Sequence, residues 1–128
     1  MLVIGLVLTA VAAALHVYIF TMESVTWTSP RTRATFGTTV EQAEVTRDLA
    51  YNQGFYNLFL AVLVALGTVL VAVGQRGVGV ALVLAGAGSM VAAGLVLLIS
   101  APAKARAALI QLVPPALGVL ALVVGLLV

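Results

Sequence analysis

The sequence predicts an all-α, polytopic membrane protein: an antiparallel bundle of four transmembrane helices with one long cytoplasmic loop. Of its 128 residues, 63% are hydrophobic and only 8% are charged, and the mean hydropathy is +1.25. Four apolar stretches are each long enough to cross a hydrocarbon core about 30 Å thick. Short second and third connections make consecutive helices antiparallel neighbours. We expect a single domain over residues 1–128, with spans at 2–22, 48–73, 78–100 and 107–128 and a loop at 24–47.

The composition excludes several classes of protein. A chain this apolar is neither a soluble globular domain nor a disordered segment. Without Cys it can form no thiolate metal site, and it contains a single His. Its six basic residues are scattered rather than gathered in a patch, so we expect no nucleic-acid partner. The expected partner is the lipid bilayer, no metal site is expected, and the sequence identifies no cofactor.

The first apolar stretch is predicted to stay in the protein as a transmembrane helix. No Lys or Arg precedes it, and it continues past the length of a signal-peptide core to Phe20. In the loop that follows, Thr38 and Glu41 have the spacing of a capping box. We therefore expect the second helix to begin near Thr39 and to project beyond the membrane. The aromatic residues Tyr18, Trp27 and Tyr51 are interpreted as interfacial or packing residues.

Two features distinguish the third and fourth predicted helices. The third carries small residues at four-residue spacing, which allow helix backbones to approach closely. We expect this ridge to pack within the chain rather than between copies. In the fourth helix, Pro114 and Pro115 are expected to introduce a bend, because each removes a backbone donor. The ridge consists of Ala81, Ala85, Ser89 and Ala93, with Gly86 and Gly94 beside it.

The basic residues predict the orientation of the bundle. Loops rich in Lys and Arg stay on the cytoplasmic side of a membrane. The first loop holds three bases and the third connection holds two, whereas the second connection holds only Arg76. The first loop and the third connection lie at the same end of a four-helix bundle. We therefore expect that end in the cytoplasm and both termini outside.

Polar residues inside the spans are candidates for function, because ionisable groups are costly in lipid. Glu23 follows His16 by seven residues, so both lie on one face of an α-helix. At matching depth, the second helix opens with a stripe of polar side chains at helical spacing. These residues predict one polar pocket in the cytoplasmic half, with Gln111 on the opposite wall. The predicted ligand-binding residues are His16, Glu23, Arg47, Asn52, Gln53, Tyr56, Asn57 and Gln111.

Several functions fit this pocket. The first is binding of a small amphipathic or lipid-like ligand. The second is catalysis on a lipophilic substrate, with His16 or Glu23 as acid or base and Arg47 holding an anionic co-substrate. The third is transport of a small solute or a proton, although the outer half offers no continuous polar path. The same residues could instead only hydrogen-bond neighbouring helices. The sequence also leaves open whether copies associate into a homo-oligomer.

The residues of the first half resemble a known family. His16-Val-Tyr-Ile-Phe20 is followed by Glu23, by Trp27-Thr-Ser-Pro30 and Phe36-Gly37, and then by Asn52-Gln53-Gly54-Phe55-Tyr56-Asn57. This pattern is similar to small four-helix bacterial membrane proteins known as domain-of-unknown-function family 1304. The resemblance covers nearly the whole chain. It implies an inner-membrane location and a four-helix bundle, and it implies no particular activity.

A second resemblance concerns architecture. Residues 47–61 are similar to the second helix of the membrane-associated proteins of eicosanoid and glutathione metabolism, which are also four-helix proteins with a long first loop. Where that family has its glutathione-binding Asn this chain has Tyr51, and where it has Glu this chain has Gly54. The resemblance therefore implies a shared architecture without glutathione binding.

Overall fold

The structure, a computed structural model, describes all 128 residues, and all of its regular secondary structure is helical. This confirms the all-α prediction. The predicted first loop is itself partly helical, and the first span ends in a wider π-helical turn. In chain order the elements are α1 (Leu2–Phe20), the π turn (Thr21–Val25), α2 (Pro30–Phe36), α3 (Val40–Val45), α4 (Arg47–Ala72), α5 (Arg76–Ser100), a 3₁₀ turn (Pro102–Lys104) and α6 (Ala105–Leu127).

Four helical segments are long and apolar enough to cross a membrane, which makes the chain a multi-pass membrane protein. They comprise 24 to 26 residues each: Leu2–Val25, Arg47–Ala72, Arg76–Ser100 and Pro102–Leu127. α1 packs against α4 and α6, and α5 packs against the same two helices, while α1 and α5 hardly meet. The helices therefore form a ring in which each one contacts its neighbours in sequence, closed by α6 on α1.

Small residues set the closest contacts in this ring. A Cβ atom added at Gly67 would lie 2.5 Å from the carbonyl oxygen of Gly79, so α4 and α5 touch backbone to backbone. Large side chains at these positions would hold the two backbones farther apart. Close contact through small residues is typical of helices in lipid, where no hydrophobic driving force brings helices together. A compact core fills the centre of the ring. It contains Ala12, Ala13, Ala61, Val64, Val83, Ala87, Met90 and Leu122.

The small-residue ridge of the third span points outward. Ala81, Ala85, Ser89 and Ala93 are all exposed on the bundle surface, so the prediction that they pack within the chain was wrong for these four, whereas Gly86 and Gly94 beside them are buried. α5 presents another face, because its glycines permit a still closer approach to both neighbours. The buried residues of that face are Gly79, Val80, Val83, Gly86, Ala87, Met90 and Gly94.

The first loop is held by helix caps. Ser29 accepts a hydrogen bond from the backbone of Thr32 at the start of α2, and Gly37 ends this helix with a left-handed φ of 67°. The capping box lies one residue later than predicted. Its members are Thr39 and Gln42, because the Gln42 amide oxygen reaches back to the backbone N–H of Thr39 at 3.0 Å.

α3 is a separate short helix. It ends at Val45, the backbone leaves the helical region at Thr46 (φ −97°, ψ 6°), and α4 starts at Arg47. The second span therefore does not project beyond the membrane as one continuous helix. In the first turn of α3, hydrogen bonds from its own backbone N–H and from the Thr39 side chain lower the pKa of the Glu41 carboxyl.

Candidate functional site

A cleft of about 380 Å³ opens at the end of the bundle that carries the first loop, and we call it the loop cleft. It lies where the π turn, the start of the loop and the first turns of α4 meet. Two of its residues, Glu23 and Arg47, belong to the predicted site. The complete lining is Glu23, Ser24, Val25, Trp27, Thr28, Arg47, Asp48 and Tyr51.

The π turn directs Glu23 toward α4. Its wider winding is marked by the hydrogen bond from the Thr26 backbone N–H to the Thr21 carbonyl oxygen, five residues back, at 3.0 Å. Such turns are frequent at functional sites. Glu23 Oε2 accepts a hydrogen bond of 2.8 Å from Asn57 Nδ2, and the same amide donates to the Gln53 carbonyl at 3.1 Å. The structure thus joins two predicted site residues, Glu23 and Asn57, across two helices.

Ser24 makes the second link between the π turn and α4. Its hydroxyl donates to the Tyr51 carbonyl oxygen at 2.8 Å, and Tyr51 lies six residues closer to the loop than Asn57. Gly54, which is buried, lies beneath this hydroxyl. A Cβ on residue 54 would overlap Ser24 Oγ and would lie 3.1 Å from Glu23 Cβ. The absence of a side chain at Gly54 therefore sets the distance between the π turn and α4.

Trp27 forms the loop side of the cleft. Its indole N–H points at the Ala43 carbonyl oxygen at 3.0 Å and at the Thr46 hydroxyl at 3.3 Å. The ring also meets Phe36 edge-on, with 5.0 Å between centroids. One side chain therefore ties the start of the loop to α2 and to the junction of α3 and α4.

Two carboxylates and one guanidinium line the cleft, and they form no ion pairs. Glu23 bonds the Asn57 amide rather than a cation. Its second oxygen, Oε1, accepts no hydrogen bond from the chain and is not fully buried. Asp48 and Arg47 are exposed on the first turn of α4. The formal charge of the cleft is therefore −1 when both carboxyl groups are ionised.

A row of aromatic rings leads away from the cleft along α4. Tyr51 lines the cleft, and its ring lies 5.0 Å from that of Phe55. Phe55 in turn contacts Phe20 of α1 at 5.1 Å and Phe59 at 6.2 Å. From Tyr51 to Phe59 this row extends about 12 Å along the helix axis. It offers a continuous apolar surface from the cleft toward the middle of the membrane.

His16 and Gln111 lie apart from the cleft. His16 is 2% exposed, and its Nδ1 is 2.9 Å from the Ala12 carbonyl oxygen of its own helix. Along the α1–α6 interface, Gly5 meets Leu122 and Thr9 meets Gly118. The same register, continued by two helical turns, brings Gln111 to the level of His16. These two predicted residues therefore share a level of the bundle, but neither lines the loop cleft.

The remaining predicted residues are on the outer surface of α4. Asn52, Gln53 and Tyr56 are exposed and line neither the loop cleft nor the smaller cavity of about 220 Å³ beside it. α4 turns its small residues inward, among them Ala50, Gly54 and Ala61. No three His, Asp or Glu side chains converge as metal ligands would.

Six cleft residues were not among those predicted from the sequence: Ser24, Val25, Trp27, Thr28, Asp48 and Tyr51. A local signal was present for two of them. Asp48 and Tyr51 lie one and four residues after Arg47, so all three can border one face at the start of a helix. No local spacing indicated that Trp27 lines the cleft, because its position there depends on the path of the loop.

Comparison with known proteins gives one match. The model of the family described as "Protein of unknown function (DUF1304)" matches residues 10–123, which includes both sides of the loop cleft. No curated protein and no solved structure matches the chain.

Proposed function

The chain belongs to the DUF1304 family, and from the loop cleft we propose that it binds a small amphipathic or lipid-like molecule at the membrane surface. The polar head of this molecule occupies the loop cleft, and its apolar tail lies along the aromatic row. One observation carries the proposal. Tyr51 both lines the cleft and begins the row, so a polar and an apolar surface are continuous at that residue.

The two surfaces suit such a ligand. Binding sites for small molecules are concave and combine apolar walls with a few polar groups that fix the orientation. Glu23, Arg47 and Asp48 supply the polar groups, and Asn57 positions Glu23. The roles of His16, Asn52, Gln53, Tyr56 and Gln111 in ligand binding stay predictions.

We further propose a location. The resemblance to small bacterial four-helix membrane proteins supports an inner-membrane location, and the distribution of Lys and Arg supports an orientation with the loop cleft on the cytoplasmic side and both termini outside. A ligand would then be drawn from the cytoplasm or from the inner leaflet. Association of copies through the apolar flanks of the bundle also stays a prediction.

Native mass spectrometry of the gently extracted protein tests the binding proposal. We expect wild-type protein to carry a reproducible small amphipathic molecule. Val25→Trp should lose it, because Val25 lines the cleft and the indole would fill it while every polar group stays in place. The matched control is Val45→Trp on α3, where residue 45 is 85% exposed and does not line the cleft. Bare wild-type protein, or equal retention by both variants, would contradict the proposal.

A further inference from the structure

The charges of the loop cleft are arranged in order of depth. On α4, the Asn57 amide reaches back to the Gln53 carbonyl oxygen, and Gln53 follows Arg47 by six residues, which is about 9 Å along the helix axis. Asn57 holds Glu23, so the Glu23 carboxylate marks the membrane end of the cleft. Arg47 and Asp48 mark the loop end, where both are exposed. A ligand whose tail follows the aromatic row therefore places its innermost polar group beside Glu23.

The surroundings of Glu23 favour a positive group there. Asn57 satisfies one carboxylate oxygen, and the other accepts no hydrogen bond from the chain and is not fully buried. No Lys, Arg or His of the chain forms an ion pair with it. The rings of Trp27 and Tyr51 line the same cleft. Aromatic faces attract organic cations, particularly where water is partly excluded.

A phospholipid fits this order of charges poorly. In its headgroup the phosphate lies next to the tail and the ammonium lies farther out. With the tail on the aromatic row, the phosphate would meet Glu23, and this contact of like charges disfavours binding. The ammonium would reach the loop end, where Arg47 and Asp48 are neighbours and their charges offset each other. A molecule with a single positive head directly on its tail meets Glu23 without the repulsion that the phosphate meets.

We infer that the ligand of the loop cleft is an amphipathic organic cation, of the alkylammonium class, whose positive head lies between the Glu23 carboxylate and the rings of Trp27 and Tyr51. This inference rests on the proposed function and names the chemistry of its ligand. In this arrangement Arg47 sits at the rim and weakens cation binding, while Asp48 strengthens it.

The fluorescence of Trp27 can be used to measure binding, because Trp27 is the only Trp of the chain and lines the cleft. The probe is decylpyridinium, whose ring quenches indole fluorescence on contact, added to the protein in dodecyl maltoside micelles. We expect saturable quenching that decyltrimethylammonium reverses and that equal concentrations of decyl sulfate or decylphosphocholine do not reverse.

Variants localise the effect. Glu23→Gln keeps an oxygen for the Asn57 amide and removes the charge, so it should weaken binding about tenfold. Asp48→Asn, on the exposed helix start, should weaken it less, and Arg47→Gln should strengthen it. Glu44→Gln removes an exposed carboxylate outside the cleft and should change nothing.

The outcomes separate this inference from the proposed function. If decyl sulfate or decylphosphocholine displaces the probe as well as decyltrimethylammonium does, or if Arg47→Gln weakens binding, the cation inference is overturned and amphiphile binding stands. If the quenching is linear and no competitor reverses it, both are overturned. Reversal by the ammonium compound alone, lost in Glu23→Gln, supports both.

Discussion

Gly54 lies so close to Ser24 that a Cβ on residue 54 would overlap the serine hydroxyl. That hydroxyl donates its hydrogen bond to Tyr51 on the same helix as Gly54. The close approach of Ser24 to Gly54 and the hydrogen bond from Ser24 to Tyr51 therefore depend on each other. Both occur where the π turn crosses α4. The loop cleft opens directly above this crossing, so its shape depends on a residue that does not line it.

Gly54→Ala should destabilise the protein by about 1 to 3 kcal/mol, the usual cost of forcing an extra methyl group into a packed contact. The displaced Ser24 would also lose its bond to Tyr51. Thermal unfolding in detergent, followed by tryptophan fluorescence, measures the effect. Gly88→Ala is the matched control, since a Cβ there meets nothing within 4 Å. A melting temperature lowered equally in both variants would contradict the packing argument.

Asn57→Ala should cost about 1 to 2 kcal/mol, because it leaves the Glu23 carboxylate without its amide donor. In a double-mutant cycle with Glu23→Ala, the two residues should show a coupling of about 1 kcal/mol. Asn52→Ala, which removes an exposed amide on the same helix, should change stability by less than about 0.5 kcal/mol. Chemical unfolding in mixed micelles provides these values. Additive costs for residues 23 and 57 would show that the bond contributes nothing.

Trp27→Phe should loosen the first loop while preserving its ring packing. The substitution removes the indole donor to Ala43 and Thr46 but keeps an aromatic ring against Phe36. Loss of about 1 kcal/mol of hydrogen bonding would raise the population of the open loop about fivefold. Limited trypsin cleavage after Arg31 and Arg33 should accelerate accordingly. Val45→Ala, on the exposed face of α3, should cleave at the wild-type rate.

The orientation can be tested with single cysteines, since the chain contains none. Ala34→Cys lies exposed on α2, and Gln75→Cys lies exposed in the turn at the opposite end. In intact cells, a membrane-impermeant maleimide should label residue 75 and leave residue 34 unlabelled until the membrane is permeabilised. The reverse pattern would place the loop cleft outside.

Hydrophobic composition was sufficient to predict the four spans. A stretch of about 20 apolar residues has few alternatives to a membrane helix, whatever its detailed packing. The faces of those helices were harder to predict. Polar residues on α4 suggested that this side faces inward, yet the helix buries Ala50, Gly54 and Ala61 and exposes Asn52 and Gln53. Close backbone contact through small residues determines which face of a helix points into a membrane bundle. The spacing of polar residues does not indicate that face.

The site was predictable only in part, because its geometry depends on departures from regular helix. The spacing of His16 and Glu23 predicted a shared face on the assumption of 3.6 residues per turn. The π turn from Thr21 to Val25 breaks that register between them. The pairing of Glu23 with Asn57 also joins residues 34 positions apart, which local spacing cannot reveal. The place of Trp27 in the cleft could not be predicted without knowing the path of the whole loop.

The π turn has a consequence for the genetics of the chain. A helix that winds one turn more widely accommodates an additional residue without rotating the segments before and after it. The position of the Glu23 carboxylate thus depends on the number of residues in the π turn as well as on their identity. A single-codon deletion between Thr21 and Val25 would let the segment rewind as regular helix, leave all four spans intact, and remove the widened turn that presents the carboxylate.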